Sequence, residues 1–255
     1  LQITAERGYL IPAIDTKDTD YVSCAVRLAQ SIREWHPDAN ISVLTATPCN
    51  DPVFDAVISL PYSDLGGYAN DWQCFYASPY RQTIKLEADM LATGPVDHWW
   101  PLLELRDVVI SCGCRDFYNN PGKSRYYRKI FDDNNLPDVY NAITYWRLSL
   151  QAKGFFDLVR NIFENWDKWR QLLKFPDKEP STDVVYAIAA VHFGQESVTL
   201  PNGIGPTIVH MKRHIIQTLS DDWTKELIWE HTNPGLRIQT VAQHGFFHYN
   251  IKDWK

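Results

Sequence analysis

The first block of the chain, Arg7 to Ile14 (RGYLIPAI), is an apolar run that reads as a short buried strand. A polar turn follows at Asp15 to Asp20. From Tyr21 onward the apolar residues Ala25, Leu28, Ala29 and Ile32 recur at helical spacing, which predicts a helix ending near His36-Pro37. Ile41 to Leu44 and Val57 to Leu60 are two further strands, so the opening is strand-helix-strand and predicts a parallel, Rossmann-like sheet. Tyr80 to Lys85 is expected to be a helix or its end, running into a strand at Ile84 to Leu86. Asp107 to Ser111 and Tyr140 to Trp146 have strand character. Phe155, Phe156, Val159, Ile162, Phe163 and Trp166 share one face of an amphipathic helix, and Thr182 to Phe193 is a second helix with Ser181 or Thr182 at its cap. Pro176 to Pro180 breaks the chain between them. Beyond about residue 201 the pattern is irregular, to a basic segment at His210 to His214. The expectation is one α/β domain over residues 1–255, with a mostly parallel central sheet flanked by helices.

Composition sharpens this picture. The length of 255 residues suffices for one domain with a substantial core. The net charge of −6 argues against a generic nucleic-acid binder, although KSRYYRK at 123–129 is a local basic patch. Ten Trp, 13 Tyr and 11 Phe are a heavy aromatic load, available for packing and for stacking on sugars or bases. The five cysteines are odd in number and scattered, and Cys112-x-Cys114 lacks zinc-site spacing, so reduced thiols in a cytosolic protein are expected. No apolar run approaches the roughly 20 residues that cross a bilayer, so no membrane partner is expected. No secretory leader is visible in LQITAERGYLIPAID. A G-x-G-x-x-G fingerprint is missing, which disfavours a nicotinamide-type dinucleotide fold.

The strongest chemical signal is Glu87-Ala88-Asp89, two carboxylates one residue apart where an apolar strand stops (TIKLEADML). Carboxylates at the carboxyl end of a strand face the crevice where open α/β sheets bind ligands. They suit a hard cation, Mn²⁺ or Mg²⁺, which shares its shell with a diphosphate and neutralises charge on a departing nucleoside diphosphate. His210, after a strand-like Thr207-Ile208-Val209, is the candidate third ligand, with His214 its competitor. Arg81, Lys85 and Lys212 are candidates to grip donor phosphates. Asp183, at the start of the last long helix, is the candidate general base or acceptor-orienting group, though a carboxylate there also suits the helix dipole. His244 and His248 in QHGFFHYN are weak as a metal pair; docking of the C-terminal tail explains them better.

In this order the pieces resemble GT-A glycosyltransferases, in particular the glycogenin- and galactosyltransferase-like group. The match runs through YLIPAIDTKDTDYVSCAVRLAQSI, ISVLT, SPYRQTIKLEADML, VYNAITYW, STDVVYAIAA and TIVHMK, roughly residues 7 to 215. The resemblance implies a GT-A fold, a nucleotide-sugar donor (a UDP-sugar in the first place) and transfer of a hexosyl or pentosyl group to a hydroxyl. By resemblance Ala13, Asp15 and Asp18 sit near the nucleoside, Asn141 near the donor sugar and Asp183 near the acceptor. The segment 201–255 is expected to pack on or close over the donor site. The family usually has Asp where Glu87 stands, and Gly where Ala142 stands. QHGFFHYN also resembles glycosyltransferase-like proteins of tailed bacteriophages, some of which decorate hydroxymethylated pyrimidines in their own DNA. That makes modified DNA, in the host cytoplasm, the leading acceptor expectation, with KSRYYRK on phosphates and Trp99, Trp100 and Tyr126 stacking on an extruded base. Two rivals remain open: a nucleotidyltransferase, whose glycine-rich phosphate loop is missing here, and a non-catalytic sugar- or nucleic-acid-binding protein on a degenerate transferase scaffold, kept alive by Glu87.

Overall fold

The computed structural model describes residues 2–60, 71–122, 128–175, 178–201, 204–252 and 254. The strands are β1 (Ala5–Pro12), β2 (Ile41–Leu44), β3 (Ala56–Ile58), β4 (Tyr80–Leu86), β5 (Met90–Ala92), β6 (Val108–Cys112), β7 (Cys114–Arg115), β8 (Val139–Arg147), β9 (Ile208–His210), β10 (Trp229–His231), β11 (Leu236–Ile238), β12 (Val241–Ala242) and β13 (Phe246–His248). The α-helices are α1 (Tyr21–Trp35), α2 (Gln73–Ala77), α3 (Trp99–Leu103), α4 (Lys129–Asp133), α5 (Leu150–Glu164), α6 (Trp166–Leu173), α7 (Thr182–Phe193), α8 (Gln195–Val198) and α9 (Arg213–Ile216).

Six strands form the central sheet in the order β3-β2-β1-β4-β8-β6. The first four run parallel, and β8 lies antiparallel between β4 and β6. This is the mixed, mostly parallel sheet that the strand-helix-strand opening predicts. Alternation along β1 explains how it is covered on both faces. Tyr9 and Ile11 face a layer with Leu28 and Ile32 of α1, while Leu10 faces the opposite layer with Phe155 and Phe156 of α5. Helix α1 starts at Asp20, whose carboxylate accepts from the Ser23 amide, and α7 starts at Ser181, whose hydroxyl accepts from that of Val184. Gly8 lets β4 approach closely, since a Cβ there would stand 2.4 Å from the Tyr80 ring.

The region 80–86 is a strand throughout rather than a helix running into one, and the helical turn comes earlier, at α2. The C-terminal part is also more regular than its pattern predicts. A second sheet runs β5-β13-β9-β7, with β13 antiparallel to β5 and parallel to β9. Trp223, Tyr249 and Trp254 are buried beneath it, and the Trp223 indole donates to the Tyr249 carbonyl at 2.8 Å. Beyond this sheet, β10, β11 and β12 form a small antiparallel sheet. Among the described residues, no helix is long and apolar enough to cross a membrane. The five cysteines are all free thiols.

Candidate active site

The chain leaves β1 for β2 on one side and has β4 as its parallel neighbour on the other, with Leu10 opposite Lys85. A crevice at the carboxyl ends of such strands is where an open α/β sheet takes its ligand. Glu87 and Asp89 stand at that end, between β4 and β5. Pairing of β13 with β5 sets His248 opposite Met90, directly after Asp89. The His248 Nε2 lies 3.2 Å from Glu87 Oε2 and 3.2 Å from Asp89 Oδ2. Lys252, four residues on, also pairs its ammonium with Asp89 Oδ2. Asp89 and His248 are buried, while Glu87 keeps 36% of its side chain exposed. Burial pushes the Glu87 carboxyl up, but the His248 hydrogen bond and the His248, Lys85 and Lys252 charges outweigh it and hold the pKa at about 2. Burial lowers the Lys252 pKa against the pull of Glu87.

One ligand atom each from Glu87, Asp89 and His248 lies within 4.8 Å of the others, an arrangement able to hold a metal ion. Two ligands about 2.1 Å from a hard cation and at right angles to each other are about 3 Å apart. The two 3.2 Å separations match that edge. Two carboxylates and one imidazole also make a donor set able to bind a divalent cation.

His210, the expected third ligand, is next door. The parallel pairing of β9 with β13 sets it opposite His248, with ring centroids 4.6 Å apart. It is buried, its Nδ1 makes no hydrogen bond among the described residues, and burial holds its pKa well below 6.5. The three-residue cluster contains His248 instead. His248 lies in QHGFFHYN, the segment that sequence alone assigns to tail docking. Docking and site-building are the same event, because β13 carries His248 into the sheet beside Asp89. Lys252 had no signal of its own.

The other candidates divide sharply. Lys85 is 1% exposed and donates to Asp71 Oδ1 at 3.0 Å and to the Asn141 carbonyl at 2.7 Å. Burial opposes its charge, yet the Asp71 carboxylate beside it raises its pKa. It is enclosed rather than offered to donor phosphates. Arg81 stands six residues before Glu87, about 20 Å along a strand, and pairs with Glu6 at 3.2 Å. That end of β4 is remote from the carboxylates. Asn141 is buried, and all its polar groups are engaged: its N–H donates to Asp183, its carbonyl accepts from Lys85, its side-chain amide donates to Asp71, and its Oδ1 accepts from Thr144. Asp183 also binds Arg128 at 2.9 Å and keeps 30% of its side chain exposed. Burial and the Glu87 charge raise its pKa over the opposing pull of Arg128. Ala13 is buried just past β1, and Asp15 accepts from the Val22 amide at the start of α1. Asp18 is exposed. Lys212 precedes α9, two residues after His210.

The residues expected to meet DNA are placed differently. Trp99 and Trp100 belong to the core, packed with Phe246 and Tyr9, and are closed to an extruded base. Arg128 is buried between the Phe131 and Tyr140 rings, 3.9 Å from each centroid. Lys129 pairs with Asp133, and residues 123–127, including Tyr126, lie outside the described residues.

The sheet order, with its antiparallel strand next to β4 and its acidic triplet at the end of β4, is the GT-A architecture. Comparison with solved structures bears this out. The chain is similar to the galactosyltransferase LgtC in complex with donor and acceptor sugar analogs, at 12% identity and TM-score 0.53, over 95% of this chain and 86% of that one. It is likewise similar to mouse xyloside xylosyltransferase 1 in its apo form, at 8% identity and TM-score 0.51, over 96% and 97% of the two chains. At these identities the likeness is one of fold. No protein-family model matches the chain, and no curated protein matches it.

Proposed function

We propose that this protein is a metal-dependent glycosyltransferase that moves a sugar from a nucleotide-sugar donor to a hydroxyl acceptor. The observation carrying the proposal is the convergence of Glu87, Asp89 and His248 at the carboxyl end of a parallel strand, in a GT-A fold. These three residues would hold Mn²⁺ or Mg²⁺, which when bound neutralises charge on the departing diphosphate. Lys252, delivered to the same cluster, supplies a cation for the phosphates. The loop of Ala13, Asp15 and Asp18 after β1 takes the nucleoside, and a UDP-sugar is the first donor to test. Asp183, with an exposed edge and a raised pKa, takes the proton of the acceptor hydroxyl. The acceptor oxygen bonds to the anomeric carbon while the bond from that carbon to the phosphate oxygen breaks, and the nucleoside diphosphate leaves with the electron pair. The acceptor enters by the open cleft lined by Cys112, Arg115, Asp138, Gln195 and Thr207. That cleft borders the Asp183 network, because Asp138 shares Arg128 with it.

Hydroxymethylated DNA has less to recommend it than the sequence alone indicates. Trp99, Trp100 and Arg128 are enclosed and offer it neither a stacking face nor a free cation. Sugar hydroxyls are the better first acceptors.

The test is a thermal-shift and donor-hydrolysis panel with UDP- and GDP-sugars in Mn²⁺, Mg²⁺ or EDTA. Metal-dependent stabilisation by one nucleotide, with slow release of its diphosphate, supports the proposal; silence across the panel overturns it. One observation favours the non-catalytic reading: Lys252 already places a cation on Asp89. Nucleotide-sugar binding that is indifferent to EDTA and proceeds without turnover would decide for that reading.

A further inference from the structure

A fully buried lysine needs a reason, because an apolar side chain of similar size serves a core at least as well. Lys85 has one. It lies two residues before Glu87 on β4, and both its described partners are internal. Asp71, two residues before α2, is the partner that carries the opposite charge. Its two carboxylate oxygens accept three hydrogen bonds: from Lys85 at 3.0 Å, from the Asn141 side-chain amide at 2.9 Å and from the Tyr186 hydroxyl at 2.5 Å. Those donors come from β4, β8 and α7, three elements that meet beneath the acidic triplet.

The network extends to both ends of the site. On one side the Glu87 amide donates to the carbonyl of Ala142, the neighbour of Asn141, at 3.1 Å. On the other the Asn141 amide donates to Asp183 at 2.8 Å. Asn141 is therefore clamped between two ion pairs, Asp71–Lys85 and Arg128–Asp183. Any rotation of its side chain breaks bonds to Asp71 and Thr144 together.

We infer that Asp71 is a positioning residue of the active site: through Lys85 and Asn141 it fixes Glu87 and Asp183 relative to each other. It touches neither donor nor acceptor. This rests on the glycosyl-transfer reading, and it makes a narrower claim than that reading does. A residue of this kind acts on turnover more than on donor binding.

Asp71→Asn alone strands the Lys85 charge and puts folding at risk, so the decisive variant is the double one, Asp71→Asn with Lys85→Met, which removes both charges at once. Circular dichroism and thermal unfolding establish its fold. Titration with Mn²⁺ and UDP reads binding, and donor turnover under saturating conditions reads kcat. The expected result is a folded protein that binds Mn²⁺ and UDP within about threefold of the parent and turns over about 100-fold more slowly. Turnover within threefold of the parent overturns the positioning role while leaving glycosyl transfer standing. A double variant that does not fold makes the network a support of the fold alone, and this also overturns the role. A parent protein silent with every donor and metal overturns the functional reading, and the positioning role with it.

Discussion

Asp89→Asn tests the metal site most directly, because it keeps the shape of the side chain and removes its charge. Asp89 is nearly enclosed, at 5% exposure, and faces both His248 and Lys252. Without metal, the substitution weakens the contacts to His248 and to Lys252, the latter a lysine that retains 33% exposure and can turn to water. The cost to the fold is about 1.5–3 kcal/mol, which lowers Tm by roughly 3–12 °C in a chain of this size. With metal, the difference is larger. A cation at a hundred times its dissociation constant stabilises the folded state by about 2.7 kcal/mol, or roughly 5–11 °C in Tm. The parent protein should show that rise on adding Mn²⁺ with UDP, and Asp89→Asn should lose most of it. Differential scanning fluorimetry with and without EDTA gives both numbers from one plate. A variant that keeps the full metal-dependent rise would refute the assignment of Asp89 as a ligand.

Further outcomes are expected elsewhere in the molecule. His248→Ala should weaken Mn²⁺ binding by at least the 10–100-fold that loss of an outer-shell partner costs, read by metal titration, whereas a surface histidine would leave it unchanged. Lys252→Met removes a cation that pairs with Asp89, so it should tighten Mn²⁺ binding measured without nucleotide and weaken binding of UDP. Two groups at the site contribute to the acid side of the stability profile. Burial holds the His210 pKa well below 6.5, so the unfolded chain binds the proton first and stability falls as pH drops below 6.5; His210→Asn should flatten that slope in thermal melts. Glu87 is held at about 2 against a usual 4.5, so its contribution is complete above pH 4.5 and is lost as pH falls towards 2, and Glu87→Gln should remove that part of the slope. Phe156, fully buried and stacked on Phe75 at 4.9 Å, should cost about 3–5 kcal/mol when cut to Ala, measured by urea unfolding.

Most of the sheet was legible because its strands obey local rules. Ile41–Leu44 and Thr182–Phe193 fall where periodicity and the Ser181 cap place them. The segment 80–86 misled because Tyr80, Thr83, Ile84, Lys85 and Leu86 are all buried, so it lacks the polar alternation of a half-exposed strand. Lys85 read as a phosphate ligand for a related reason. Its partner Asp71 lies 14 residues away, beyond what spacing on one element reveals. Glu87 and Asp89 were legible from their own neighbours, as carboxylates at the end of an apolar run. His248 was not, since its role depends on a pairing with β5 across 158 residues of chain. The adjacent histidine, His210, carried the better local signal and sits one strand further from the carboxylates.

The C-terminal segment brings His248 and Lys252 beside Glu87 and Asp89, and its anchoring gives Lys252 a meaning beyond that of a surface cation. Arg27 on α1 donates to the Lys252 carbonyl at 3.2 Å and also to that of Trp254. Trp254 in turn packs on Trp223 and Tyr249. The backbone that presents the ammonium is thus fixed from both sides, and only the side chain has freedom. Glu87 and Asp89 bring two negative charges to a largely enclosed point, which needs compensation at all times. Lys252 supplies a positive charge in the free protein, and His248 a hydrogen-bond partner to both carboxylates. Were a divalent ion to share Asp89, as the proposed function requires, the Lys252 ammonium would meet a like charge there, and the donor diphosphate would be the anion to pair with it. On that proposal, a lysine that balances the free protein would turn to the donor in the loaded one, so a single pinned tail would serve stability without substrate and recognition with it.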